Sequence, residues 1–402
     1  MKRMFRYCIY ILLLLLLTGC WDRYELEDRA NILGLAVDLA EKSELNDEPE
    51  VTHQKGEFPE EKRETLYKVT AQIAVPGKIK LGPEGGGGQG SEKTAWVLET
   101  FGHTMKDAMA NLQQQLAEKL YLGHLQIVVV SEDIAKRGLS EVNDFLRRDH
   151  EVRRTAWMIV NEKDASKVIK TAPPLETVPS LYLSDTLDNA VRFGKLPREY
   201  LGKFWIDISD DGVNAVLPSV KAIDGDRILV DGLAFFRNEK MVGRTTPIEI
   251  GMYMSMKEKN GGGYSVSVSL EGEEGVYLVK AEKRKPHIKV SLKNGKPSAE
   301  IAVEIEAVIE EEVNNNQLSE EKIKQLKKAA DQKRKELCEK LLGQLQKEGS
   351  DVLGIGARIR AKYGDYWDTE VKTEEKWSEI YKEMKIKVTV DHKIRRAGME
   401  WN

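Results

Sequence analysis

The chain has 402 residues and a formal net charge of −4, with 62 Lys and Arg against 66 Asp and Glu. Hydrophobic residues make up 41% and charged residues 32%, which is typical of a folded, highly charged protein and excludes a disordered chain. A mildly acidic chain has no general attraction for nucleic acid or anionic lipid, and this length predicts about two to four domains.

The amino terminus has the parts of a secretory signal. Basic residues within the first six positions precede a short apolar run, and small residues stand just before Cys20. The run is shorter than the ~20 residues that span a bilayer. Leu17–Cys20 (LTGC) resembles the bacterial lipobox, in which a diacylglycerol is attached to the cysteine thiol and the preceding peptide is removed. We therefore predict a signal peptide at residues 1–19 and lipid attachment at Cys20. The alternatives are an ordinary signal peptide that contains Cys20 and an uncleaved anchor.

The following region alternates predicted strands with predicted helices. Short apolar runs bounded by Gly, Pro or charged residues indicate buried strands, and apolar residues three and four apart indicate helices. Ser131, with two acidic residues after it, is a helix N-cap signal. The predicted strands are 30–39, 66–75, 94–100, 125–130, 155–160, 215–222 and 228–236, and the predicted helices are 104–119, 134–137, 141–148, 164–170 and 175–195. This alternation indicates mixed α/β structure.

Two segments of this region are predicted surface loops. Residues 41–64 are polar and charged, and residues 82–91 (GPEGGGGQGS) are rich in glycine. Gly85–Gly90 has the glycine spacing of a phosphate-binding loop, but the lysine that would reach the phosphates is missing. The segment also lies between two predicted strands instead of opening a helix. We therefore interpret it as a flexible loop and not as a nucleotide site.

The last third of the chain has a different pattern. Apolar and polar residues alternate in 264–270, 288–292, 301–309 and 386–394, which predicts strands with one buried and one exposed face. Residues 318–347 carry an apolar stripe at helical spacing. We expect an antiparallel sheet that is covered by this long helix.

A search for catalytic and metal-binding patterns yields no strong candidate. The histidines are His53, His103, His124, His150, His287 and His392. No two have the i,i+4 spacing of a helical metal pair, and His392 lies on the apolar side of a strand, where a hydrogen-bonded core histidine is expected. Cys338 is a lone thiol on a predicted helix, so we interpret it as a core residue and not a nucleophile. A pair of carboxylates facing one another across a cleft remains open.

Two basic clusters have more than one interpretation. Arg147–Arg154 (RRDHEVRR) could bind a phosphate or an acidic partner surface, but we favour a solvated helix-to-strand connection with internal ion pairs. Ile394–Gly398 (IRRAG) is interpreted as a strand end that meets a loop. Neither cluster interleaves basic and aromatic residues, so no nucleic-acid partner is expected.

Several stretches together resemble the Ger(x)C spore germination lipoproteins, the C subunits of germinant receptors. Each piece alone is weak, but their order behind a lipobox is specific, and they cover effectively the whole mature chain. The 55–64 insert and the Gly85–Gly90 loop look like variable surface excursions. The matching pieces are Leu17–Asp38, Gly123–Leu139, Phe145–Val160, Gly232–Gly243 (GLAFFRNEKMVG), Gly354–Trp367 (GIGARIRAKYGDYW) and Lys385–Gly398 (KIKVTVDHKIRRAG).

The resemblance implies an α+β protein of three mixed α/β domains, the last an antiparallel sheet packed on long helices. Domain I would comprise residues 20–65, completed by about 197–245. Domain II would comprise residues 66–196, and domain III residues 246–402.

The resemblance also implies a function. It implies a non-enzymatic subunit, lipid-anchored to the outer, extracytoplasmic surface of the spore inner membrane, that acts with A and B membrane subunits to trigger germination by small nutrients. No cofactor, metal or catalytic residue is expected, and Cys20 alone is carried over from the family, as the lipid attachment site. Whether this subunit contacts the nutrient stays open. The alternative is a free-standing envelope lipoprotein that binds a small ligand itself or hydrolyses one with unrecognised carboxylates.

Overall fold

The first apolar run of the body forms an interior strand of a large sheet. The structure, a computed structural model, describes residues 29–44, 49, 51–54, 56–59, 65–75, 94–171, 178–223, 227–257, 262–270, 272, 275–313 and 319–397. The predicted signal peptide, Cys20 and the glycine-rich loop therefore lie outside the described residues, as does most of the 55–64 insert.

The first sheet has nine strands within the described ranges, in the order β3-β2-β1-β5-β6-β7-β8-β9, with β4 beside the beginning of β1. Strands β1, β5, β6 and β7 run parallel, and the pairs toward both edges are antiparallel. Parallel strands covered on both faces need continuous apolar sequence, and residues 127–130 are 0% exposed. The strands are β1 (Arg29–Leu39), β2 (Tyr67–Ala74), β3 (Ala95–Gly102), β4 (Lys119–Tyr121), β5 (Ile127–Ser131), β6 (Trp157–Asn161), β7 (Val216–Ile223), β8 (Arg227–Arg237) and β9 (Lys240–Arg244).

Helices cover both faces of this sheet. They are α1 (Met105–Gln113), α2 (Glu132–Arg137), α3 (Ser140–Arg148), α4 (Ala165–Lys170), α5 (Pro179–Arg192) and α6 (Leu201–Asp207). Helices α1, α2, α3 and α6 pack on one face, and α4 and α5 pack on the other. Ser131 caps α2 as predicted, since its hydroxyl accepts the Ile134 N–H at 3.5 Å.

Helix α1 ends earlier than predicted. The pattern extended it to residue 119, but the helix stops at Gln113 and residues 119–121 form β4. The Gln113 side chain accepts the Leu120 N–H at 2.9 Å and donates to the Glu118 carbonyl at 3.0 Å. These contacts hold the chain in a turn, and β4 then gains backbone hydrogen bonds to β1.

The last third forms a second sheet, of four strands within the described residues, in the order β10-β11-β12-β13. A helical turn at Gly364–Tyr366 continues as a π-helix at Trp367–Val371. The strands are β10 (Ser265–Val268), β11 (Val276–Lys293), β12 (Lys296–Val313) and β13 (Lys385–Ala397), and the helices are α7 (Pro247–Lys257), α8 (Glu320–Glu348), α9 (Ile355–Lys362) and α10 (Glu374–Glu383). Both sheets pack on helices, and the predicted α+β class is confirmed.

The expected antiparallel arrangement of the second sheet holds for three strands and needs a correction for the fourth. Strands β10, β11 and β12 are antiparallel, whereas β13 runs parallel to β12. Helices α8, α9 and α10 lie between β12 and β13, and such a crossover returns the chain to the end of the sheet at which β12 began. Between β11 and β12, Asn294 and Gly295 have φ of 51° and 71°, as a tight hairpin turn requires.

The predicted domains I and II contribute to one sheet. Strands β1 and β7–β9 come from the residues assigned to domain I, and β2–β6 come from those assigned to domain II. One hydrophobic cluster also joins Ile127 and Val129 of the first sheet to Ile301 and Val388 of the second. The division into three domains remains a prediction.

Candidate functional site

The tip of the β8–β9 hairpin, Arg237–Lys240, is fixed on one side by α3. Asn143 Nδ2 donates to Glu239 Oε1 at 2.8 Å, and the Leu139 N–H donates to the Glu239 carbonyl at 2.9 Å. Trp205 Nε1 donates in turn to Asn143 Oδ1 at 3.4 Å. Asn143 and Trp205 are buried, so interior polar contacts hold this side of the tip.

On its other side the hairpin tip contacts the helices of the last third. Arg237 Nη1 donates to the Glu348 carbonyl at the end of α8 at 3.2 Å. Asn238 Nδ2 donates to Glu375 Oε1 on α10 at 3.4 Å. Asn238 has φ of 54°, a left-handed conformation that Asn adopts more readily than most residues. The tip therefore connects the first sheet to helices that lie between β12 and β13 of the second.

A cleft of about 740 Å³ lies beside this hairpin tip. The end of α2, the hairpin and α10 form its walls, so two of the stretches that carried the resemblance meet here. The charged residues of its walls are Lys136, Arg137, Arg237, Lys240 and Lys382, with Glu239, Glu374, Glu375 and Glu379. Both signs of charge are interspersed, which suits a polar partner surface better than an apolar ligand.

Asp351 is the centre of a buried polar network between the two sheets. Its carboxylate accepts the N–H groups of Ile355 at 3.0 Å and Gly356 at 2.7 Å, and Trp377 Nε1 at 3.1 Å. The Asp351 N–H donates to Asn214 Oδ1 at 2.8 Å, and the Asn214 N–H donates to the Asp351 carbonyl at 2.9 Å. Burial raises the pKa of Asp351. The carboxylate thus begins α9 and connects it to the chain before β7.

A left-handed conformation explains one glycine of the GIGARIRAKYGDYW stretch, and close approach of neighbouring atoms explains another. Gly354 has φ of 67° at the N-cap of α9. A Cβ on Gly356 would lie 2.4 Å from Trp377 Nε1 and 2.7 Å from the Gly212 Cα. Glu374 adds a contact to this junction between α9 and the chain before β7, since its carboxylate accepts the Gly212 N–H at 2.9 Å. Burial raises the pKa of Glu374.

Lys257 places a cation in the same junction. Its Nζ donates to the Val352 carbonyl at 2.6 Å, and burial lowers its pKa. The carboxylates of Glu199, Asp207 and Asp351 oppose that shift. The junction thus combines a half-buried cation with buried carboxylates. Asp351 is 0% exposed, so its carboxylate contacts only other parts of the protein and positions elements of the fold.

Asp38, at the end of the first matching stretch, connects β1 to α4. Its carboxylate accepts the N–H groups of Ala165 at 2.7 Å and Ser166 at 3.0 Å. Burial raises the pKa of Asp38 to about 6; the nearby Asp164 adds to this shift and Lys68 opposes it. The side chain therefore binds the beginning of α4 from a distant strand.

Most of the described histidines do not contact one another. His53 and His103 do meet, with ring centroids 5.4 Å apart, and Phe58 packs on both rings. His392 is 0% exposed, and its Nδ1 lies 2.8 Å from Asp331 Oδ1, which confirms a hydrogen-bonded core histidine. Burial lowers its pKa. Within the described part of the chain, no group of three or more His, Cys, Asp or Glu is placed to hold a metal ion.

Cys338 lies in the core, as predicted. Its thiol is 3.8 Å from Met252 Sδ, and burial raises the pKa of the thiol to about 12. A thiolate nucleophile is therefore disfavoured at this position. Cys20, the predicted lipid attachment site, lies outside the described residues.

The Arg147–Arg154 cluster occupies the end of α3 and the connection to β6. Arg148 Nε donates to Asp144 at 2.7 Å, and these side chains are 79% and 59% exposed. Glu151 accepts the Leu122 N–H at 3.1 Å. The exposure of these side chains agrees with a solvated connection, whereas the ion pair joins Arg148 to Asp144 on α3, outside the cluster. In the second cluster, residues 394–397 belong to the end of β13, and Gly398 lies outside the described residues.

The sequence analysis missed the residues of the buried junction. Asn214 and Lys257 were not singled out, because their partners are distant in sequence. Asp351 was not singled out because it lies three residues before the Gly354 N-cap, outside the position that a helix-start signal uses.

None of the helices in the described ranges is both long and apolar enough to cross a membrane.

Comparison with known proteins covers nearly the whole chain. The family model of the spore germination protein N-terminal domain matches residues 22–222, and that of the spore germination B3/GerAC-like C-terminal domain matches residues 231–398. Spore germination protein KC of Bacillus subtilis strain 168 is 26% identical over 434 residues, which cover 99% of this chain and 98% of that protein. Spore germination protein B3 of the same strain is 25% identical over 408 residues, which cover 99% of each.

A solved structure has the same fold. The crystal structure of the GerBC protein matches with a TM-score of 0.55 and 18% identity, covering 90% of this chain and 98% of that one. The two family models together extend from residue 22 to residue 398, which is most of the chain. The chain belongs to the Ger(x)C family of spore germination proteins.

Proposed function

We propose that this chain is the lipid-anchored, non-enzymatic C subunit of a spore nutrient germinant receptor. It acts with A and B membrane subunits on the outer surface of the spore inner membrane. The observation that carries the proposal is the pair of family matches over residues 22–398, directly behind the lipobox-like residues 17–20.

The anchor supplies proximity to the membrane subunits. Residues 21–28 separate Cys20 from the beginning of β1 at Arg29. Even a fully extended connection of this length spans only about 30 Å, so the first sheet stays close to the membrane. Two acyl chains hold a protein where one releases it. The tether raises the effective concentration of the ectodomain beside its partners, so that modest protein contacts suffice.

The role of the ectodomain is to present surfaces to these partners. The buried polar junction around Asp351 and the surface contacts of the hairpin tip at Arg237–Lys240 connect the first sheet to the helices of the last third. The cleft beside the tip carries interspersed charges at the surface.

A cysteine substitution tests the anchoring step. In a strain without sister receptors, we expect Cys20→Ala to abolish germination by nutrients and to leave germination by agents that act downstream unchanged. Cys8→Ala is the matched control, because this cysteine lies within the signal peptide and outside the lipobox. Normal nutrient germination in the Cys20→Ala strain would contradict the proposal.

Calorimetry separates this function from its rival. We expect the mature chain to bind amino acids and sugars weakly or not at all without its partners. Tight one-to-one binding of such a ligand would favour the free-standing envelope lipoprotein.

A further inference from the structure

The second sheet has one open face, formed by the outward side chains of β11, β12 and β13. Alternate residues of these strands point away from the core. A register shift between Ala281 and Lys283 keeps the outward residues of the long β11 beside the outward residues of β12. Inward residues such as Ile301 and Val388 are 0% exposed. The charged residues of the open face include Lys280, Lys283, Lys285, Lys289 and Lys293 on β11, Lys296, Glu300, Glu304, Glu306, Glu310 and Glu311 on β12, and Lys385, Lys387, Asp391, Lys393 and Arg395 on β13.

The strand register places a row of carboxylates between two rows of cations. Lys289, Glu300 and Lys387 lie side by side, as do Lys283, Glu306 and Lys393. Cations outnumber carboxylates on the open face, although the chain as a whole carries a net charge of −4. The positive charge is therefore concentrated on one surface of an acidic protein.

Around Glu306 the carboxylate lies beneath the ends of the basic side chains. Glu306 pairs with Lys283 at 3.8 Å, Lys285 at 3.7 Å and Arg395 at 3.2 Å. The Glu306 side chain is 15% exposed, whereas those of Lys283, Lys285 and Arg395 are 64%, 55% and 60% exposed. Glu304 is more accessible, with a side chain 46% exposed. A partner that approaches the face around Glu306 therefore meets ammonium and guanidinium groups first.

The chemistry of the open face fits a phosphate layer better than a protein. Protein interfaces are enriched in aromatic residues and Arg and depleted of Lys, whereas the basic residues here are mostly Lys. Among the described residues, Val276 at the beginning of β11 is the one large hydrophobic residue of these strands that is more than a third exposed. Lysine is a point charge that binds phosphate without a shaped site. Strands β11 and β12 each have 18 residues, so the face extends about 60 Å.

We infer that the open face of the second sheet docks on the anionic phospholipid headgroups of the membrane that carries the anchor. The inference rests on the proposed function, because the tether keeps the ectodomain at the membrane while each surface lysine adds only a small attraction. Docking would fix how the ectodomain is oriented towards its membrane subunits.

Lysine footprinting on vesicles tests the orientation. The whole mature chain, residues 20–402 with Cys20→Ala, is attached through an amino-terminal histidine tag to vesicles with nickel-chelating lipid, so natural acylation plays no part. The vesicles contain phosphatidylcholine alone or with phosphatidylglycerol, and acetylation rates are measured by mass spectrometry. We expect Lys283, Lys285 and Lys393 to react about fivefold or more slowly on phosphatidylglycerol vesicles, and we expect 1 M salt to abolish the difference.

Three other lysines are matched controls. Lys136, Lys167 and Lys376 have side chains 59%, 73% and 52% exposed and also pair with a carboxylate. They should react equally on both kinds of vesicle. Equal protection of the two sets would overturn the inference, as would protection on phosphatidylcholine alone. Protection that appears solely when the membrane subunits are added would also overturn it, in favour of an acidic protein partner.

A pair of triple variants adds a second readout. Lys283→Gln, Lys285→Gln and Lys393→Gln together should remove the protection of the remaining Lys289 and Lys387. The control triple of Lys136→Gln, Lys167→Gln and Lys376→Gln should retain it. The tag replaces the acyl chains in this assay, so an absence of protection would contradict the docking inference and leave the proposed anchor untouched. Conversely, normal germination of the Cys20→Ala strain would contradict the anchor and leave the vesicle result valid.

Discussion

Asp38 and Asp351 each accept hydrogen bonds from backbone N–H groups at the start of a helix to which they do not belong. Asp38 accepts N–H groups of Ala165 and Ser166 on α4, and Asp351 accepts those of Ile355 and Gly356 on α9. Both carboxylates are buried, and burial raises the pKa of both. A buried carboxylate that binds backbone donors stabilises a particular arrangement of elements, because moving either element leaves the donors without an acceptor.

The raised pKa of Asp38 gives the stability a pH dependence. The pKa is about 6 in the folded protein against 3.8 for the free side chain, so the native state retains this proton to higher pH than the unfolded chain. The contribution of Asp38 to the free energy of unfolding is therefore greatest below about pH 4 and falls by about 3 kcal/mol as the pH rises through 6. We expect Asp38→Asn to remove this fall, measured by urea unfolding between pH 4 and pH 7.

The control for this measurement is Asp144→Asn, at a side chain that is 59% exposed. This variant should follow the wild-type curve. Parallel curves for wild type and Asp38→Asn would contradict the assignment.

Asp351→Ala should be severely destabilising. The substitution leaves the N–H groups of Ile355 and Gly356 and Trp377 Nε1 buried without their acceptor. Each such donor costs about 1–3 kcal/mol, so we expect a loss of about 3–5 kcal/mol in the free energy of unfolding. Asp365→Ala, at an exposed position, should change it by less than about 0.5 kcal/mol. Similar denaturation midpoints for the two variants would refute the role of Asp351.

Helix α9 is packed closely against its surroundings at Gly356. A Cβ on Gly356 would meet the buried Trp377 ring and the Gly212 backbone. Gly343, within α8, has open space around its Cβ position. We expect Gly356→Ala to destabilise the protein by about 2 kcal/mol or more, and Gly343→Ala to stabilise it by about 0.5–1 kcal/mol. Thermal unfolding of both variants checks the pair, and a Gly356→Ala protein as stable as wild type would show that α9 has room to shift.

The elements themselves were largely predictable from periodicity. The alternation at 301–309 and 386–394 predicted β12 and β13, and the apolar stripe at 318–347 predicted α8. The direction of β13 was not predictable, because period two is the same in parallel and antiparallel strands. The end of α1 was missed because hydrogen bonds of the Gln113 side chain, which leave no periodic signal, turn the chain there.

The candidate site was less predictable than the elements. The predicted strand at 228–236 forms the first strand of the hairpin, but the contact of Asn238 with Glu375 joins residues 137 positions apart. Asp38 and Ala165 are similarly 127 positions apart. Contacts of this kind depend on how distant elements pack, and a single sequence gives no signal for them.

At the scale of the whole molecule, two sheets share one hydrophobic cluster. The gap between the two family models falls at residues 223–230, within the β7–β8 pair of the first sheet. The gap therefore lies inside the first sheet and not between the first sheet and the second. Because the two sheets also share a hydrophobic cluster, we expect the whole chain to unfold in one concerted transition. Coincident denaturation curves for tryptophan fluorescence and far-ultraviolet circular dichroism would agree with this, and two separate transitions would contradict it.

The most direct test of the central claim is affinity purification of the tagged chain from detergent-solubilised spore membranes, followed by mass spectrometry. The account predicts that two integral membrane proteins, the A and B subunits, accompany the chain in comparable amounts. It also predicts that the amino-terminal peptide begins at an acylated Cys20. A chain that is recovered alone from the aqueous fraction, with an unmodified Cys20 thiol, would contradict the account.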